Sequence, residues 1–82
     1  MVSYTVKIFS VLKDRFGSSE LEITAGQATT VEELLSAGCT QFPLLQSYRP
    51  YIRVAINQKY SASVDPVSIG DEVAFLMPAS GG

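Results

Sequence analysis

From Ser3 to Phe9 the chain alternates with period two. Tyr4, Val6 and Ile8 fall on one side, and Thr5, Lys7 and Phe9 on the other. That period predicts a strand. Val11 to Phe16 then places Leu12 and Phe16 four apart, and Gly17 follows as a common helix stop, so a short helix of about two turns is predicted. Leu21 and Ile23 mark one face of a second strand over residues 20–24, and residues 25–28 read as a loop. Thr30-Val31-Glu32-Glu33 has the form of a capping box. In that motif the Thr30 hydroxyl accepts from the Glu33 amide, and the Glu33 carboxylate reaches back to the Thr30 amide. Val31, Leu34, Leu35 and Phe42 continue at helical spacing, which predicts the main helix, ended by Pro43. Gly38 interrupts that helix at a cost of about 1 kcal/mol relative to Ala.

Leu44 to Pro50 reads as a loop with a little local helix, with Tyr48 and Tyr51 packing around it. Tyr51 to Asn57 alternates again, setting Ile52, Val54 and Ile56 against Arg53 and Ala55, and predicts a third strand. Asn57-Gln58-Lys59 is a turn, followed by a short extended piece over residues 60–64. Asp65-Pro66 is a second turn signal, Val67 and Ile69 are core anchors, and Gly70-Asp71 is a third turn. Glu72 to Leu76 is the last strand, and Pro78 ends its ladder. One amphipathic helix on one mixed sheet is the simplest two-layer solution for this order. The expected fold is therefore α+β, in its ubiquitin-like β-grasp form. There the first and last strands lie central and parallel, with one main helix packed on one face. Residues 1–78 would form the domain and residues 79–82 a flexible tail.

The last strand is apolar on both faces. Val73 and Phe75 point one way and Ala74 and Leu76 the other. A single helix covers only one face of a sheet, so Val73 and Phe75 are assigned to the core. Leu76 is then exposed, beside Phe9 on the outward side of the first strand. Contiguous exposed hydrophobes on adjacent strands predict a partner-binding patch. Arg53 points away from the core and reads as a surface cation. Asp71 and Glu72 are adjacent and point to opposite faces, so they do not form a catalytic pair.

Composition narrows the chemistry. A chain of 82 residues with 46% hydrophobic and 17% charged positions is one globular domain. The net charge is −2 and no basic cluster is present, which argues against a nucleic-acid partner. There is no histidine and a single cysteine, Cys39. His-based catalysis, the usual zinc sites and a disulfide scaffold are excluded, and no metal or bound cofactor is expected. Cys39 reads as a small hydrophobe near the main helix. No signal-peptide core and no run near the roughly 20 apolar residues of a membrane span is present, so a cytoplasmic protein is expected. A chain without these groups is a poor candidate for a self-sufficient enzyme.

The sequence closes on Ala79-Ser80-Gly81-Gly82. Two terminal glycines arise by chance in about 0.5% of chains at a Gly frequency of roughly 7%. Taken alone, the pair reads as a frayed end. Here it leaves directly from a predicted central strand through Pro78, which gives it weight. Without a Cβ, a Gly-Gly end is as thin as a peptide can be and enters narrow channels. A terminal carboxylate is ionised at neutral pH and is a poor electrophile. It reacts only after activation, for example as an acyl-adenylate, and the chain carries no nucleotide site of its own. A second protein would have to activate it.

The order of elements, the segments Val54-Ala55-Ile56-Asn57-Gln58 and Gly70-Asp71-Glu72-Val73-Ala74-Phe75, and the terminal Ser80-Gly81-Gly82 resemble the small, sulfur-carrier subunits of molybdopterin synthase. The resemblance covers essentially the whole chain. It implies that an activating enzyme related to the ubiquitin E1 class adenylates the Gly82 carboxylate with ATP, and that sulfur transfer then yields a thiocarboxylate. It further implies docking on the large subunit of a heterotetrameric synthase, with the tail inserted in that subunit's active site to donate a dithiolene sulfur. By the same resemblance the reacting end is Gly81 and Gly82. The partner surface is Phe9, Tyr60 and Leu76, with Met77, Pro78, Ala79 and Ser80 in the inserted segment. The family often has two prolines followed by Val before the final Ser/Thr-Gly-Gly, whereas this chain runs Leu76-Met77-Pro78-Ala79-Ser80. Sulfur carriage for thiazole, thiolated tRNA or a sulfur amino acid is the alternative. Protein modification through Gly82 is another, and an adaptor with an incidental Gly-Gly end is the plainest.

Overall fold

Strand β1 (Val2–Ile8) buries Tyr4, Val6 and Ile8 and exposes Ser3, Thr5 and Lys7, as its period predicts. The computed structural model describes residues 1–77. Pro78, Ala79, Ser80, Gly81 and Gly82, and with them the expected tail, lie outside the described residues. The strand stops at Ile8 because Phe9 leaves the ladder as the N-cap of helix α1 (Ser10–Phe16). Ser10 sits at φ +48°, a left-handed conformation uncommon outside glycine. Gly17 closes α1 in the left-handed region, its N–H donating to the Lys13 carbonyl.

Strand β2 (Glu20–Ala25) returns antiparallel to β1, pairing Val6 with Leu21 and Tyr4 with Ile23. The two-residue strand β3 (Thr29–Thr30) leads into helix α2 (Val31–Gln41). Its capping box is formed: Glu33 N–H donates to Thr30 Oγ1 at 3.2 Å, and Thr30 N–H donates to Glu33 Oε1 at 3.0 Å. Val31, Leu34, Leu35, Gly38 and Cys39 are the buried face. The helix ends at Gln41. Phe42 adopts a non-helical conformation, and Pro43 opens a single turn, α3 (Pro43–Gln46), that inserts Leu45 fully into the core. Phe42 meets Phe16 edge-to-face at 5.9 Å and so ties α1 to the end of α2.

A 3-10 turn (Arg49–Tyr51) precedes strand β4 (Arg53–Ile56). A third strand over Tyr51–Asn57 is thus shortened at its start. Pro50 cannot donate to a ladder, and the Tyr51 and Ile52 amides bond to Tyr48 and Arg49 instead. Tyr51 projects into solvent, whereas Tyr48 packs against the core. β4 turns back into strand β5 (Lys59–Tyr60), which is shorter than the extended piece expected over 60–64. Val64 is exposed in the turn that follows. Strand β6 (Pro66–Val67) pairs with β3, and Val67 is the buried anchor. Ile69, expected beside it, is exposed, because it lies in the turn that Gly70 completes at φ +95°.

The last strand, β7 (Val73–Leu76), inserts between β1 and β4 and gives the sheet order β2-β1-β7-β4-β5. It runs parallel to β1, pairing Val6 with Val73 and Ile8 with Phe75, and antiparallel to β4. First and last strands are central and parallel, with α2 on one face: the fold is a ubiquitin-like β-grasp. Phe75, Ile8 and Leu34 are fully buried between the layers, each contributing about 1.5–3 kcal/mol relative to exposure.

Two contacts fix how α2 lies on the sheet. A Cβ at Gly38 would stand 2.9 Å from Ile23 Cδ1 and 3.1 Å from Leu45 Cδ2, so this glycine permits close approach of helix and sheet. On the outer edge of β2, Thr24 N–H donates to Gln41 Oε1 at 2.9 Å, and Gln41 Nε2 donates to the Thr24 carbonyl at 2.7 Å. The Gln41 amide occupies the place a neighbouring strand would take. Among the described residues no helix is long and apolar enough to cross a membrane.

Candidate functional site

The face of the sheet opposite α2 is built by register. Lys7 pairs with Ala74, Ala74 with Ala55 and Ala55 with Tyr60, so these four stand in one row across four strands. Leu76 pairs with Arg53 in the next row. Phe9 follows Ile8, the partner of Phe75, and so comes level with Leu76. The result is a depression of about 410 Å³ with Ala55 and Ala74 as its floor. Phe9, Leu76 and Tyr60 wall it, and Gln58 and Glu72 close the remaining side.

Phe9 and Tyr60 are 47% and 65% exposed, which leaves two aromatic rings open to a partner. Leu76 lies on the outer face as predicted, although it is half-buried rather than fully exposed. Met77, the last described residue, is also half-buried and packs against the core. The structure thus brings Phe9, Tyr60 and Leu76 around one hole, and Met77 is not among its lining residues. Pro78 to Gly82 lie outside the described residues. Arg53 is exposed, as expected for a surface cation.

The turns that place these side chains are held by Asn57. Asn57 and Gln58 have φ of +52° and +70°, the pair of positive values that a two-residue type I′ hairpin demands. The Asn57 N–H donates to the Glu72 carbonyl at 2.8 Å, and Glu72 N–H donates to Asn57 Oδ1 at 3.0 Å. Asn57 Nδ2 reaches Asp71 Oδ1 at 3.2 Å, while Asp71 Oδ2 accepts from the Ser68 amide at 2.8 Å. This clip joins the β4–β5 turn to the start of β7 and fixes Glu72 at the rim of the hole. Asp71 is therefore a turn residue.

The electrostatics are mild. Lys7 Nζ stands 3.5 Å from Glu72 Oε2, with both side chains close to half exposed, a pair of small energetic weight. On the outer face of β1 and β2, hydrogen bonds from Ser3 and Thr5 hold the Glu22 carboxyl below its usual range. Burial pushes the Cys39 thiol up, and the side chain packs in the core on the inner face of α2. A second, larger cleft of about 640 Å³ lies between α2, the 3-10 turn and β4. Its Arg49 is engaged by Glu32 and by Ser36 Oγ. Among the described residues no group of three His, Cys, Asp or Glu side chains could hold a metal ion.

Ala55, Ala74, Gln58 and Glu72 belong to the site and were not singled out by sequence. Ala55 and Ala74 are small residues at outward positions of their strands. Only the pairing of β4 with β7 shows that they are neighbours.

Comparison with known proteins agrees with this architecture. A molybdopterin synthase sulfur carrier subunit of Arabidopsis thaliana is 27% identical over 81 residues, covering 99% of this chain and 84% of that protein. Its counterpart from Aedes aegypti is 28% identical over 89 aligned positions, covering 100% of this chain and 91% of that protein. Among solved structures, small archaeal modifier protein 1 (SAMP1) of Haloferax volcanii superposes with a TM-score of 0.84 at 28% identity, covering 99% of this chain and 100% of that one. The sequence profile of the ThiS family matches residues 6–82, and the chain belongs to that family.

Proposed function

We propose that this chain is a sulfur carrier acting as the small subunit of a molybdopterin synthase. The Gly82 carboxylate attacks the α-phosphate of ATP on an E1-like partner and expels pyrophosphate, so that one carboxylate oxygen becomes part of an AMP leaving group. Hydrosulfide-level sulfur attacks the acyl carbon, the C–O bond to AMP breaks and AMP leaves, and loss of the sulfur's proton gives a thiocarboxylate on Gly82 with no change of oxidation state. The Phe9, Tyr60 and Leu76 face then docks on the large subunit, and the segment after Leu76 delivers the thiocarboxylate into that subunit's active site. Gly81 and Gly82 supply the slim profile that such delivery needs. The chain provides position and a reactive acyl group, and the partners provide catalysis.

One observation carries this reading. The apolar hole on the outer face is built on β7, whose last residue, Leu76, is separated from Ser80-Gly81-Gly82 by only three residues in the sequence. A partner gripping the hole would hold the segment after Leu76 at a defined distance. The two sulfur-carrier relatives support the pathway. The test uses two variants, one lacking Gly82 and one extended beyond it. Both should keep the fold and lose sulfur transfer to the large subunit. Transfer retained in either variant contradicts the mechanism.

The likeness to SAMP1 favours a second reading, in which Gly82 forms isopeptide bonds with lysines of other proteins. Activation with ATP in the presence of a cell extract separates the two. Conjugates of increasing mass on lysines would favour modification, and their absence favours carriage.

A further inference from the structure

The hole on the outer face combines two aromatic rings, an apolar floor and one formal charge. Ala55 and Ala74 offer only methyl groups as its floor. Phe9, Leu76 and the ring of Tyr60 make the apolar walls, and Glu72 supplies the charge. Among the described residues no cation lines the hole itself; the nearest by register are Lys7, the partner of Ala74, and Arg53, the partner of Leu76. Lys7 meets Glu72 from outside it, at 3.5 Å and near half exposure, so the carboxylate keeps acceptor capacity for another donor.

These features discriminate among occupants. A purely apolar side chain would cover the floor but strip water from Glu72 without returning a hydrogen bond, which is unfavourable for a charge. A lysine would return the charge as a strongly hydrated point and make little use of the rings. An arginine matches every part. Its methylene stem can lie along the alanine floor, and its planar guanidinium can stack on an aromatic face while donating to the carboxylate. We propose that the hole receives an arginine side chain presented by the docking partner, an inference that rests on the docking reading above and adds the chemistry of the anchor.

The test is amide NMR of the isotope-labelled full chain, titrated with N-acetyl-argininamide and, separately, with the lysine and leucine analogues. The arginine probe should shift the amides of Ala55, Tyr60, Glu72 and Ala74 by at least about threefold more than either rival at equal concentration. Glu72→Gln and Ala74→Met should each reduce those shifts by about threefold or more, while Asp14→Asn leaves them unchanged. If Ala74→Met disturbs the rest of the spectrum, Glu72→Gln alone decides. Equal or larger shifts with the leucine probe overturn the proposal, as do shifts spread evenly over the surface. Binding to a purified large subunit of molybdopterin synthase separates this inference from the docking reading. A roughly tenfold loss on Glu72→Gln supports the arginine anchor. Wild-type binding that is indifferent to Glu72→Gln overturns the anchor and leaves docking intact. A positive arginine titration with no binding of the large subunit upholds the anchor and sinks the proposed partner.

Discussion

Ala55 and Ala74 face one another as Cα partners across the β4–β7 ladder, and together they floor the apolar hole on the helix-free face. Their size is what leaves the hole open. A larger side chain at Ala74, the half-buried member of the pair, would fill it from below, on the face opposite Val54 and Phe75, whereas Ala55 is already buried.

Leu76 stands at the wall of that hole and is half-buried. Leu76→Lys should weaken docking to the large subunit while costing no more than about 1.5 kcal/mol of stability, because a lysine stem can lie on the surface with its charge in water. Urea denaturation and a binding titration on the same sample check both parts. A collapse in stability would show that the two faces of β7 are assigned the wrong way round.

Gly38 is where helix and sheet come closest. Gly38→Val should destabilise the fold by about 2 kcal/mol or more, since branched methyls would collide with Ile23 and Leu45. Gly38→Ala should cost much less, because about 1 kcal/mol of helix propensity offsets part of the crowding. Denaturation midpoints rank the variants, and a Val variant as stable as the parent would contradict the packing described.

Gln41 guards the free edge of β2. Gln41→Ala removes both hydrogen bonds to Thr24 and should cost about 1–2 kcal/mol. It also uncovers an unpaired strand edge, so self-association should rise with concentration. Light scattering coupled to size exclusion reads this directly. A variant that stays monomeric and fully stable would show that the Gln41 contact does neither job.

Gln58 occupies a left-handed position that most side chains avoid. Gln58→Gly should stabilise the hairpin by about 1 kcal/mol, measured as a higher thermal midpoint. A lower midpoint would argue against a type I′ turn at this position.

Much of this was legible in the residues themselves. The alternation of Tyr4, Val6 and Ile8 set the core face of β1. Thr30 and Glu33 announced the start of α2, and Val73 and Phe75 separated the faces of β7. What stayed hidden depended on long-range pairing. Gly38 looked like an interruption, because its reason lies in Ile23 and Leu45 on other elements. Ile69 and Tyr51 looked like packing residues, since hydrophobicity alone does not show that a turn carries a side chain outward. Phe9 and Leu76 were legible as outward hydrophobes. The floor between them was not, because Ala55 and Ala74 become neighbours only when β7 slots between β1 and β4. The Asn57 clip was likewise invisible, since its partners Asp71 and Glu72 are distant in sequence.

The central claim is that Gly82 carries activated sulfur. Intact mass of the chain, recorded after incubation with an E1-like activating enzyme, ATP and a sulfur donor, tests it most directly. The account predicts a gain of about 16 Da as one oxygen is replaced by sulfur, mapped by fragmentation to residue 82. An unchanged mass, or a gain that maps to Cys39 instead, would contradict it.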